Sequence, residues 1–96
     1  MIDKKPKRRY TIVYDDDAME LGSDAARLLS RLQFYSRRFK KDDHGYFEIF
    51  GTYIAESLGF SKRKFIRERD KLVKAGRIKY IAGRNQNAKS RYKIVL

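Results

Sequence analysis

Apolar positions recur at helical spacing over residues 24–40. Ala25, Leu28, Leu29, Leu32, Tyr35 and Phe39 fall within one stripe, so the segment reads as a helix with a core-facing side. Ser23 is the expected N-cap, and Asp24 suits the first turn. Phe34 lies opposite the stripe. It reads either as a dimer contact or as a residue covered by a strand at 10–14, where Tyr10 to Tyr14 form a β-branched and aromatic run. Asp42 to Gly45 read as a polar turn, and Tyr46 to Phe50 as a short strand that Gly51 breaks.

A second pattern fills the C-terminal half. Thr52 is placed to cap a short helix over 53–58, with Ile54, Ala55 and Leu58 facing inward. Gly59 tolerates the positive φ needed just past a helix end. Phe60 plugs the turn, and Ser61 caps a longer helix over 62–75 that Gly76 terminates. On that helix Phe65, Leu72 and Val73 define the buried stripe, with Ile66 at its edge. Arg69 falls inside the stripe, its stem packing while its guanidinium reaches the rim. Residues 77–82 and 91–96 alternate as strands. Ile78 and Tyr80 face one way, answered by Tyr92, Ile94 and Leu96, and the two tyrosines read as core residues.

Charge changes the picture. The 96 residues carry a net charge of +12. Residues 1–60 hold 11 basic and 10 acidic side chains, whereas residues 61–96 hold 13 basic and 2 acidic. A solubilising charge would be spread out; one gathered in the last third reads as a contact surface for a polyanion. Residues 1–9, with Lys4, Lys5, Lys7, Arg8 and Arg9, form a separate basic arm ahead of a single domain over 10–96.

The short helix, glycine turn and capped second helix make a helix-turn-helix over 52–75, and the two strands with their loop make a wing over 77–96. The expected fold is therefore α+β, with three helices, a short strand before the second helix and a two-stranded C-terminal wing. The second helix pairs an apolar side with a cationic side, which suits it to rest on a core and enter a major groove. Its first half, with Lys62, Arg63, Lys64 and Arg67, is placed to reach base edges, since the arginine fork matches two guanine acceptors, and the capping Ser61 joins the expected DNA-binding set. Lys71 and Lys74 are placed to hold phosphates, which position the protein without reading sequence. The wing loop offers Arg84, Asn85, Gln86, Asn87, Lys89, Ser90 and Arg91, donors with no acid among them, for a neighbouring minor groove or its phosphates.

The stretch YIAESLGFSKRKFIRERDKLVKAGRIKYI resembles a bacterial winged helix-turn-helix. The longer segment SDAARLLSRLQFYSRRFKKDDHGYFEIFGTYIAESLGFSKR is similar to the N-terminal domains of plasmid replication initiators and phage replisome organisers, which place a long helix, a polar turn and a strand ahead of the helix-turn-helix. The resemblance implies sequence-specific binding of double-stranded DNA in replication initiation or plasmid and phage maintenance. A transcriptional repressor shares the scaffold, as does a protein-interaction module. Two residues depart from the family pattern: Arg77 stands where a leucine is usual, and Arg69 interrupts the apolar stripe.

Other chemistry is weakly represented. There is no cysteine, hence no disulfide or thiolate metal site, and this suits a cytoplasmic setting. Asp15, Asp16 and Asp17 are adjacent and cannot converge on one cation, so they read as an acidic loop. His44, the single histidine, sits in a polar turn without a nucleophile beside it. No glycine-rich phosphate loop or metal-ligand spacing occurs. The expectation is a protein that is not an enzyme and takes no cofactor, small-molecule substrate or membrane.

Overall fold

A computed structural model describes residues 19–84 and 88–95. Helical residues at 19–21 (α1) precede α2 (Ser23–Arg38), β1 (Phe47–Ile49), α3 (Gly51–Leu58), α4 (Lys62–Lys74), β2 (Ile78–Ile81) and β3 (Ser90–Ile94). The expected basic arm at 1–9, the strand at 10–14, Asp15 to Asp17 and Leu96 lie outside the described residues.

The three strands form one antiparallel sheet in the order β1-β3-β2. The expected two-stranded wing is therefore widened: β1 joins it, with Phe47 opposite Tyr92 and Ile49 opposite Ser90. On the other side of β3, Ile78 faces Ile94 and Tyr80 faces Tyr92. Phe47, Tyr92 and Tyr80 make an aromatic row across the sheet, with centroids 6.0 and 5.3 Å apart. The described helical segments number four rather than three. The α+β class agrees with the sequence reading, and the element order is compatible with a winged-helix-like fold.

The helical stripe of α2 is the largest contribution to the core. Ala25, Leu28, Leu29, Leu32 and Tyr35 are buried against Phe47, Ile54, Leu58, Phe65, Leu72, Ile78 and Tyr92. Each fully buried leucine contributes roughly 1.5–3 kcal/mol. The helix ends at Arg38, two residues early, because Phe39 turns extended (φ −92°, ψ 149°). Phe39 still packs, edge-on to Tyr35 and Phe47. Asp42 then nucleates the turn, its Oδ1 accepting from the backbone N–H groups of His44 and Tyr46.

Two expected caps are corrected. The cap position of α2 is Gly22, at φ 90°, and not Ser23; the chain leaves helical residues 19–21 there and can reverse only with an unusual φ. The cap position of α3 is Phe50, and Thr52 lies inside the helix. Gly51 therefore opens α3, where its missing side chain leaves room for the Phe65 ring; an added Cβ would lie 3.1 Å from Phe65 Cε2. Gly59 closes α3 at φ 74°, a left-handed conformation that would strain any other L-residue. Ser61 caps α4 as the sequence reads, its Oγ accepting from Lys64 N at 3.1 Å, a contact worth about 1 kcal/mol.

Candidate nucleic-acid interface

The orientation of α4 decides what this surface can do. Phe65 and Leu72 are buried, as expected, but the third buried position is Glu68, at 3% exposure. Val73 and Ile66 are exposed, which corrects the placement of Val73 in the stripe. Positions 65, 68 and 72 form one helical line, so the helix is turned to put Glu68 under the fold and Val73 outside. Arg69 behaves as its place at the rim suggests. Its guanidinium lies 4.1 Å from the centroid of Tyr80, and it donates to Asp70 from Nε and Nη2. It is thus engaged inward rather than offered to a ligand.

The outer side of α4 carries Lys62, Arg63, Arg67, Lys71 and Lys74, all exposed. Arg67 and Lys71 are partly engaged by Glu68: Arg67 Nε lies 3.3 Å from Oε2, and Lys71 Nζ 3.0 Å from Oε1. Lys71 also reaches the Leu21 carbonyl at 3.5 Å. Lys64 differs from the expectation. Its ammonium pairs with Asp24 at 2.9 Å and lies 4.9 Å from the Phe60 centroid, so it fastens α4 to α2 instead of facing outward. The Lys64 hydrogen bond is the leading cause that holds the Asp24 carboxyl below its ordinary range.

The hairpin of β2 and β3 stands beside α4. A groove between them is lined by Ile66, Lys62 and Arg69 of α4, Phe50 and Gly51 before it, and Ala82, Gly83, Ala88 and Ser90 of the hairpin. The side of α4 that carries Lys62, Ile66 and Arg69 and the base of the hairpin are therefore the two banks of one surface feature, and Arg63, Arg67, Lys71 and Lys74 are not among its lining residues. Gly83 N donates to Ser90 Oγ at 3.2 Å. That bond pins the base of the loop and gives the oxygen of Ser90, a strand residue, a structural role as an acceptor. An added Cβ at Gly83 would lie 2.6 Å from the Lys89 carbonyl oxygen, so only glycine allows the two chain segments to approach this closely.

Arg84 is exposed, and Asn85, Gln86 and Asn87 lie outside the described residues. Lys89 is exposed, with Nζ 5.6 Å from the Phe50 centroid on the bank of the groove. Arg91 points across the sheet towards Glu48 at 3.8 Å, a half-exposed pair of small energetic weight that a competing anion can replace. Arg77, the departure from the leucine pattern, precedes β2 and pairs with Glu20 of α1 at 3.5 Å.

The sequence reading missed Glu68 and the exposed Phe50, whereas Ile66, read at the edge of the buried stripe, is exposed. Glu68 had a signal: an acid at the fourth position of a 65–68–72 spacing whose ends are both apolar. Among the described residues, no helix is long and apolar enough to cross a membrane, and no group of three His, Cys, Asp or Glu side chains could hold a metal ion. No family model, curated protein or solved structure matches the chain.

Proposed function

We propose that this chain is a sequence-specific binder of double-stranded DNA that works as a winged helix-turn-helix. In this reading α3 and α4 are the helix-turn-helix, α4 lies in the major groove, and the β2–β3 hairpin follows the adjacent backbone or minor groove. The observation that carries the reading is the set of exposed cations Lys62, Arg63, Arg67, Lys71 and Lys74 on α4, with Lys62 on one bank of the groove whose other bank is the hairpin base. Such a surface neutralises phosphates along two successive stretches of a duplex and releases their counterions.

The parts divide by chemistry. Arg63 and Arg67 stand about one helical turn apart and carry forks suited to guanine. Ile66 lies beside Arg63 on the groove side and is 36% exposed; an apolar branch there suits the C5-methyl of thymine. Lys74 and Lys89 serve phosphates. The resemblance to replication-initiator domains favours initiation or maintenance of plasmid or phage replication as the process. A transcriptional repressor would use the same contact.

Selection of bound duplexes from a random DNA pool at about 150 mM salt, where nonspecific binding is weak, tests the reading. The expected result is one enriched motif, whose genomic position separates origin from promoter. Retention of no duplex would overturn the proposal.

A further inference from the structure

Glu68 is an acid buried in the helix that carries the cations. Its side chain is 4% exposed. Oε2 accepts from Arg67 Nε at 3.3 Å, and Oε1 has the Lys71 ammonium at 3.0 Å without an aligned hydrogen bond. Lys64 and Lys71, one turn to either side of it, reach Asp24 and the Leu21 carbonyl. Glu68 therefore sits on the side of α4 turned to the start of α2. A buried carboxylate is costly to keep unless something is gained from its partners. Both partners here are cations on the rim of the surface described above.

We infer that Glu68 is a positioning residue for DNA reading. It holds Arg67 by Nε, so that the two terminal nitrogens project outward as a preformed fork, and it draws Lys71 back from the phosphates. Arg67 is 62% exposed; without a tether its long side chain would sample many rotamers and lose more entropy on meeting a base. Glu68 also cancels part of the charge of α4. It thus trades generic attraction for orientation. The inference rests on the proposed DNA binding.

The test uses the full chain with Glu68→Gln, Glu68→Asp and Arg67→Lys. Each is measured against the selected site and a scrambled duplex over a salt series. Glu68→Gln keeps the shape but loses the charge. Its binding to scrambled duplex tightens, with a salt slope steeper by up to about 0.9 for each cation freed onto a phosphate, while discrimination falls about tenfold, within the range of one bidentate base contact. Glu68→Asp keeps the charge but draws it back by one methylene, so discrimination falls with a smaller change of slope than in Glu68→Gln. Arg67→Lys keeps the positive charge but removes the Nε donor to Glu68 Oε2 and cannot form a fork; it loses discrimination to the same extent. Full discrimination in Glu68→Gln, with only the melting temperature altered, would reduce Glu68 to a structural role. Unchanged discrimination in Arg67→Lys would overturn the fork. Failure of the unsubstituted chain to retain any duplex is a separate outcome, which removes the DNA reading and this inference together.

Discussion

Under the proposed DNA binding, Arg63 and Arg67 on the outer side of α4 and Lys89 on the hairpin carry the same charge but have different tasks. Replacing either arginine with alanine should relax sequence preference at one position, at about 1–3 kcal/mol per lost base contact. Lys89→Ala should weaken every duplex alike and flatten the salt slope. Competition binding with single-base variants of the site reads both; equal, sequence-independent losses from all three would refute the division of labour. Ile66 makes a finer prediction. Replacing one thymine of the site by deoxyuridine removes a single methyl, and if Ile66 meets that methyl, the affinity lost should vanish in Ile66→Ala. A methyl effect that persists in the variant assigns the contact elsewhere. At this scale the sequence reveals residue type and helical angle. That is why the exposure of Arg63 and Lys74 was legible and the engagement of Lys64 was not. Its partner, Asp24, is forty residues away, and no local pattern encodes that meeting.

Elements follow the same rule. The Ser61 cap and the Gly59 turn were legible because their chemistry is complete within four residues. The Ser23 and Thr52 caps failed because the preceding segments intrude. Helical residues end at Gly22, and β1 runs almost directly into α3, so Phe50 occupies the cap position. Apolarity alone misplaces the rotation of α4. Val73 is hydrophobic, but Phe65 and Leu72 orient the helix, and the line joining them passes through Glu68. The pairing of β1 with β3 spans the chain from Phe47 to Tyr92, far beyond any periodicity. The hairpin gives the test at this scale. Gly83→Ala places a Cβ against the Lys89 carbonyl and must spread the strands, at about 1–3 kcal/mol for an overpacked site. A lower melting temperature should accompany a smaller loss of DNA affinity on Lys89→Ala in that background. An unchanged melt and an unchanged Lys89 effect would show that the close approach is dispensable.

For the molecule as a whole, Tyr92, the most buried titratable residue among the described ones, is a pH limit. Burial pushes the Tyr92 hydroxyl far above its ordinary value; nearby Tyr80 adds to this and Arg69 opposes it. In the unfolded chain the same group titrates near 10. Its raised folded pKa stabilises the fold fully below about pH 10, and that contribution drains away as the pH climbs beyond it. Alkaline titration should show Tyr92 ionising together with loss of the fold, and Tyr92→Phe should move the alkaline midpoint upward. Tyrosinate appearing at Tyr92 while circular dichroism remains native would refute the burial argument.

The central position of β3 has one more consequence. It is bonded to β1 on one edge and β2 on the other, and β2 is tied to the end of α4 through Arg77, whose N–H donates to Leu72 and whose carbonyl accepts from Val95. The base of the hairpin cannot shift without carrying the core with it. In the proposed DNA complex, the two banks of the groove would act as the fixed jaws of a caliper. A single base pair inserted between the steps they would touch moves one set by about 3.4 Å along the axis and turns it out of reach, so the proposed binder would measure length as well as letters.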